Sequence, residues 1–393
     1  MAEKENRRIF FIILDSFGIG AAPDAADFGD AGTNTLAAVA GSPQFDCPNL
    51  ARLGLFNIDG VSCGAPAAVP AGSFARMREL SRGKDTIIGH WELAGLVSER
   101  PMPTFPNGFT SDFVREFEKA TGRRCICNRP YSGTQVIADY GEEHMKTGAL
   151  IIYTSADSVL QIAANEAVVP VPELYRYCEI ARKMTTGALA VGRVIARPFV
   201  GTTAADFRRT ARRHDYALSP FAPTMLDVLK EAGRDVIGVG KIGDIFNGQG
   251  LTESLRTTGN ADGMEKTLAL QERDFTGLCF VNLVDFDMLY GHRRDADGYA
   301  GALTAFDRFL SQFLPRMRAD DVLMISADHG CDPSYLKSTD HTREYVPYLL
   351  YGEKIRQGVN LGTSEGFTLA ANTICGLFGL GAPFAGESAA DVI

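Results

Sequence analysis

Three nearly uninterrupted apolar runs mark the chain, at residues 9–14, 278–284 and 322–326. Each is rich in β-branched and aromatic side chains and is followed at once by polar residues, which predicts strands. Helical stretches lie between such runs. Residues 224–232 form one, stopped by Gly233 and followed by a strand at 235–239. Residues 300–317 form another, between the second and third runs. Strand–helix–strand units of this kind predict an α/β fold, a central mostly parallel sheet flanked by helices with right-handed crossovers.

Two breakers interrupt that pattern: Pro101-Met102-Pro103-Thr104-Phe105-Pro106-Asn107-Gly108 and Ser219-Pro220-Phe221-Ala222-Pro223. Between them a strand at 149–154 and a helix at 172–190 stand apart from the rest. The expectation is an inserted smaller α+β cap domain at 100–218, hinged on the breakers, within a core made of 1–99 and 219–393. A single continuous domain is the alternative, but 393 residues exceed what one core usually holds.

Hydrophobic content of 45% and charged content of 22% describe an ordinary globular chain. The net charge of -9 argues against nucleic acid as a partner, while leaving room for a local basic patch that grips a small phosphate ester. Residues 3–8 run straight into a short apolar strand with no cleavage pattern after it, and no segment reaches membrane-spanning length. A cytoplasmic enzyme with no membrane partner is expected. The eight cysteines are scattered, and only Cys125 and Cys127 are close, so reduced thiols are expected.

The chemistry concentrates where the apolar runs end. Asp15 follows the first, Asp287 and His292 follow the second, Asp328 and His329 follow the third, and His341 closes a loop downstream. Parallel strands bring their carboxyl ends to one edge, where α/β proteins bind ligands. Three carboxylates and three histidines suffice for two divalent ions, and mixed Asp/His ligation suits Mn2+, Zn2+ or Fe2+ better than Mg2+ or Ca2+. Such a pair serves attack of an oxygen on phosphorus. Taken singly, a strand-end aspartate is often a helix cap, and Asp285 competes with Asp287 on spacing. A hydroxyl nucleophile is also needed. Thr86, after the turn Gly83-Lys84-Asp85, stands at a predicted helix start, where backbone N–H groups favour phosphate. The same position suits a plain N-cap, and spacing does not choose between them.

Four sets of segments carry a specific resemblance. They are Ile13-Leu14-Asp15-Ser16-Phe17-Gly18-Ile19-Gly20; Lys84-Asp85-Thr86 with Gly89-His90-Trp91-Glu92; Asn282-Leu283-Val284-Asp285-Phe286-Asp287 with Gly291-His292-Arg293; and Ala327-Asp328-His329-Gly330 with Thr339-Asp340-His341-Thr342-Arg343-Glu344. Together they resemble the bacterial phosphopentomutase family of the alkaline phosphatase superfamily, over nearly the whole chain. Asp-His-Gly marks only the superfamily, whereas the Thr86 and His341 segments point to the family. The resemblance implies an alkaline-phosphatase-like core and a phosphothreonine at Thr86. It implies two Mn2+ per chain, one on Asp15, Asp328 and His329, the other on Asp287, His292 and His341, and so selects Asp287 over Asp285. It further implies interconversion of α-D-ribose 1-phosphate and D-ribose 5-phosphate, and of the 2-deoxyribose pair, in nucleoside salvage. The route would pass through a pentose 1,5-bisphosphate, with a sugar bisphosphate activator and a closing cap that excludes water. Ile87 and Ile88 depart from the small polar residues expected after the nucleophile.

Six arginines between positions 193 and 213 suggest either a phosphate-gripping surface or a solvated basic face. The resemblance implies Arg193, Arg197 and Arg209 as phosphate contacts and Asp157 as a sugar-hydroxyl contact. Gly238-Val239-Gly240-Lys241-Ile242-Gly243 fits a dinucleotide fingerprint, but residues 244–250 are too glycine-rich to open the long helix it requires. A substrate-facing loop with Lys241 reaching a phosphate is the better expectation. The rivals are a metal-dependent phosphomonoesterase, another phosphosugar mutase of the same superfamily, and a nicotinamide oxidoreductase built on the 238–243 loop.

Overall fold

Every residue of the first apolar run is buried, and so are those of the other two, because both faces of these strands are covered. The computed structural model describes residues 7–155, 157–338 and 340–392. Residues 3–6 of the N-terminal lead, Ala156 beside Asp157, and Thr339 of the His341 segment lie outside the described residues. One compact unit takes the chain up to Arg100 and again from Pro220; the other takes Pro101–Ser219.

In chain order the strands are β1 (Arg8–Leu14) and β2 (Ser73–Arg78), then β3 (Cys125–Pro130), β4 (Leu150–Thr154), β5 (Val159–Asn165), β6 (Arg193–Val200), β7 (Arg208–Arg209) and β8 (His214–Ala217) of the inserted unit. They continue in the larger unit with β9 (Asp235–Val239), β10 (Glu253–Leu255), β11 (Gly277–Leu283), β12 (Val322–Ser326), β13 (Val346–Tyr351) and β14 (Asn360–Glu365).

The larger unit is an α/β structure around one sheet in the order β10-β9-β11-β1-β12-β13-β2-β14. From β10 to β12 the strands run parallel. Only β13 is reversed, antiparallel to β12 and to β2, while β14 runs parallel to β2. The register sets Ile13 beside both Asn282 and Ser326, so the segments leaving β1, β11 and β12 emerge side by side at the carboxyl edge. Because β13 is reversed, its entry reaches that same edge and delivers residues 341–345 there. At the far edge, Arg8 is wholly buried against Asp321 (2.8 and 2.6 Å) and also donates to the carbonyls of Gln271 and Arg273. With these donors and acceptors paired, the buried charges are tolerable.

Two helix boundaries differ from the sequence pattern. The helix expected at 300–317 begins earlier, at Ala296, because the Asp295 side chain caps Gly298 N, and it gives way to a 3-10 turn at Leu314–Arg316. The helix expected at 172–190 is Val171–Met184. Thr185 Oγ1 turns back onto the Ala181 carbonyl at 2.8 Å, and a 3-10 turn opening on the left-handed Gly187 follows.

The inserted unit carries the sheet β3-β4-β5-β6-β7, with β8 also on β6. Helices Ser111–Thr121 and Val171–Met184 share an apolar cluster with one sheet face, including Phe113, Phe117, Ile152, Leu160 and Val194. Helix Gln135–Thr147 packs on the other face over Ile151, Tyr153 and Phe199. All eight cysteines are free. Among the described residues no helix is long and apolar enough to cross a membrane.

Candidate metal centre

The larger unit brings all six expected ligand residues and Thr86 to one edge of its sheet. After β1 the chain turns sharply: Ser16 takes a left-handed φ of 71°, and its N–H donates to Asp328 Oδ1 at 3.0 Å. After β11 the backbone forms a π-helical turn, Phe286–Gly291, rather than continuing extended. Asp285 and Asp287 therefore do not share a strand face, as their spacing suggested. Asp285 instead accepts Asn260 N at 2.6 Å, at the start of helix Asn260–Gln271. Asp287 faces His292 Nε2 (3.3 Å) and His341 Nε2 (3.5 Å). After β12, His329 Nε2 stands 3.3 Å from Asp328 Oδ2 and 3.6 Å from Asp15 Oδ1.

Two triplets can each point one ligand atom at a common centre: Asp287 with His292 and His341, and Asp15 with Asp287 and His329. Asp287 thus stands in both, and Asp328 joins the second through His329. The histidine tautomers are fixed from behind, since Nδ1 of His329 donates to the Gly330 carbonyl (3.0 Å) and Nδ1 of His341 to that of Lys84 (2.8 Å). That leaves each Nε2 lone pair turned inward, the arrangement metal-binding imidazoles use.

Electrostatics in this cluster are strained without a counter-charge. Burial, then Asp328 and Asp287, push the Asp15 carboxyl up to about 6. Burial also opposes the charge on Asp328, but His329 and His90 outweigh it and hold that carboxyl well below its usual range. Burial opposes the charge on Asp287 too, but the facing imidazoles of His292 and His341 outweigh it and lower that carboxyl. Asp15 Oδ1, Asp287 Oδ1 and Asp328 Oδ2 are buried and accept no hydrogen bond. Orphaned carboxylate oxygens beside inward-facing imidazole nitrogens fit divalent cations.

Thr86 is the first residue of helix Thr86–Leu93, and the cap is Asp85, whose Oδ1 accepts Ile87 N and Ile88 N at 3.1 Å each. With capping done by its neighbour, the Thr86 hydroxyl is turned to His329 Nε2 at 3.2 Å. Ile88 is buried behind it and Ile87 is half-buried.

The helix is held against the site by residues whose role sequence reasoning missed. A Cβ on Gly89 would lie 2.1 Å from the Asp328 carbonyl oxygen, so only glycine permits this approach. Trp91 Nε1 donates to the Ile245 carbonyl (3.1 Å), and Glu92 accepts Leu80 N, Ser81 N and Phe367 N. Arg343, buried, donates to Glu79 Oε2 (2.6 Å) and to the carbonyls of Ser81 and Gly83, fixing the turn before Thr86. Glu344, also buried, accepts Gly20 N, Thr35 N and the hydroxyls of Thr35 and Thr342, and so ties the loops after β1 and β12 together. The available signal was a run of charged residues directly before an apolar strand, which burial alone distinguishes from a surface turn.

Lys241 follows β9 at the same edge, and its charge is among those drawing the Asp15 carboxyl down. The helix after it, Ile242–Ile245, has four residues, too short for a dinucleotide site. In the inserted unit, register places Arg193 opposite Val159 and Arg197 opposite Ala163, on the sheet face that carries Tyr153. Arg197 Nε donates to Gln161 Oε1 (3.0 Å), Arg209 Nε to the Gly133 carbonyl (3.1 Å), and Arg193 stands 3.7 Å from Asp215. The Tyr153 hydroxyl is buried near Arg209 and Arg197, and burial raises its pKa. Asp157 is exposed in the loop after β4.

A model of the metalloenzyme superfamily matches residues 7–382, and the chain belongs to that superfamily. The phosphopentomutase of Lachnoclostridium phytofermentans is 58% identical over 383 residues, which cover 97% of this chain and 98% of that protein. That of Acetivibrio thermocellus is 52% identical over the same shares. Within the superfamily, this chain therefore belongs to the phosphopentomutase family. Among solved structures, a Leishmania mexicana phosphoglycerate mutase aligns over 99% of this chain and 98% of its own at 13% identity, with a TM-score of 0.49.

Proposed function

We propose that the chain is a phosphopentomutase that interconverts α-D-ribose 1-phosphate and D-ribose 5-phosphate, with their 2-deoxyribose counterparts, in nucleoside salvage. The observation that carries this reading is the Thr86 hydroxyl, 3.2 Å from His329 Nε2, among orphaned carboxylate oxygens. Thr86 carries the phosphoryl group. Phosphothreonine passes it to the free sugar hydroxyl, whose proton is released, and Thr86 Oγ1 is freed as a pentose 1,5-bisphosphate forms. The bisphosphate turns, Thr86 Oγ1 attacks the other phosphorus, and the other monophosphate leaves. A sugar bisphosphate primes unphosphorylated enzyme. A cytoplasmic location goes with this reading.

Asp15, Asp328 and His329 would hold one divalent ion and Asp287, His292 and His341 a second, manganese on this reading. When bound, two such ions neutralise charge on the transferring group and favour the ionised hydroxyl. The rest falls to the chain itself. Asp85 fixes the first helical turn so that Thr86 Oγ1 keeps its aim, and the Nδ1 contacts of His329 and His341 keep both rings oriented. Lys241 receives a phosphate, Arg193, Arg197 and Arg209 offer guanidinium forks matched to phosphate oxygens, and Asp157 accepts from a sugar hydroxyl.

Intact mass after treatment with a sugar bisphosphate tests the nucleophile: one phosphate is gained by the parent and not by Thr86→Ala. Parallel assay of ribose 5-phosphate formation and free phosphate tests the outcome. Phosphate release exceeding isomer formation would identify a phosphomonoesterase instead.

A further inference from the structure

A fully buried histidine beside Thr86 has no part in that scheme. His90 lies one helical turn after Thr86. Its Nδ1 is 2.8 Å from the Thr86 carbonyl oxygen and 3.1 Å from Asp328 Oδ2. Both are acceptors, so Nδ1 carries the hydrogen and Nε2 is left to accept. Nε2 stands 3.3 Å from Nδ2 of Asn282, a residue of β11 that is also buried. The other hydrogen of that amide group goes to Asp15 Oδ2 at 2.8 Å. The amide is thereby oriented, because turning it over would set its oxygen against a carboxylate.

An unbroken series of donors and acceptors thus runs from Asp15 through Asn282 and His90 to the Thr86 carbonyl, and sets the His90 ring 3.1 Å from Asp328 Oδ2. It joins β1, β11, β12 and the helix that bears the hydroxyl. It engages Asp15 through Oδ2 and leaves Oδ1 turned to the cluster, while Ser16 N holds Asp328 through Oδ1. We infer that His90 and Asn282 are positioning residues that keep Asp15 and Asp328 in cation-binding geometry and couple that geometry to Thr86. The inference rests on the cation reading above and deepens it.

The test is Mn2+ titration of the metal-stripped full chain against a chelating dye, with thermal midpoints recorded alongside. His90→Ala and Asn282→Ala are expected to weaken Mn2+ binding by about 10- to 100-fold, as loss of an outer partner does elsewhere. His90→Asn, whose amide can place an N–H near the position of Nδ1, is expected to recover most of that loss. Parent-like affinity in His90→Ala overturns the inference, as does equal weakening in His90→Asn, which would mean that the ring only fills space. Should His90→Ala fail to fold, unchanged affinity in Asn282→Ala overturns it alone. Thr86→Ala separates this from the mutase reading, since it should lose turnover while binding Mn2+ as the parent does. A parent without mutase activity that still shows the His90 effect would sink the mutase reading and leave this one standing.

Discussion

Gly89 packs flush against Asp328: a Cβ at position 89 would lie 2.1 Å from the Asp328 carbonyl oxygen and 3.1 Å from its Cβ. The first turn of the helix that bears Thr86 thus rests directly on the strand end that bears Asp328 and His329. Gly89→Ala must push the two apart. We expect it to destabilise by about 1–3 kcal/mol, as overpacking does, and to lower kcat far more than it raises KM. A denaturant midpoint and steady-state kinetics on one preparation would check both.

Removal of divalent metal should abolish turnover and lower the thermal midpoint, because the buried oxygens of Asp15, Asp287 and Asp328 then face one another uncompensated. Return of Mn2+ at 100-fold over its Kd should restore about 2.7 kcal/mol by mass action alone. Calorimetry with and without chelator reads this directly. An unchanged midpoint would mean that the cluster does not bind metal.

Arg343 and Glu79 form a buried ion pair at 2.6 Å. Burial pushes the Glu79 carboxyl well up, and Arg343 is the largest influence opposing it. Arg343→Met strands Glu79 and frees the carbonyls of Ser81 and Gly83, so a loss of about 3–5 kcal/mol is expected. The double variant Arg343→Met/Glu79→Gln should recover part of the stability but not the activity, since the turn before Thr86 stays loose. Urea unfolding of the two variants would check this.

Burial pushes the Glu344 carboxyl up to about 7, against the pull of its Thr342 and Thr35 donors. Its folded pKa therefore exceeds the unfolded value of 4.5. Between those values the folded chain holds a proton that the unfolded chain releases, so this contribution to stability falls as pH rises from about 4.5 through 7. The loss amounts to up to about 3 kcal/mol and is constant above that window. Glu344→Gln should flatten this segment of the stability–pH curve, at a fixed cost of about 1–3 kcal/mol for a mismatched amide. Thermal melts across the window would show it.

What the chain discloses by pattern is what repeats locally. Residues 9–14 and 322–326 read as strands because every side chain in them is buried, and the polar residues after them are the ones the sheet edge displays. Asp285 shows where pattern fails. Its service to Asn260 and the π-helical turn beyond it depend on a helix elsewhere in the chain, which no spacing rule records. Thr86 could not be told from a cap until Asp85 was found capping in its place. The buried contacts of Arg343, Glu344, His90 and Asn282 could not be read for a related reason. Most of their partners lie far away in sequence, and a charged or polar residue ordinarily faces water.

The order of strands in the larger unit has a consequence during synthesis. β1, inside the sheet, leaves the ribosome before the other strands of its unit, yet both of its neighbours, β11 (Gly277–Leu283) and β12 (Val322–Ser326), are made only after the whole inserted segment. A nascent chain must therefore keep this apolar strand unpaired until β11 and β12 have emerged, while the contiguous segment Pro101–Ser219 has its strand partners already in hand. Chaperone demand should peak late, and any product truncated before β12 will aggregate rather than persist as a weak catalyst.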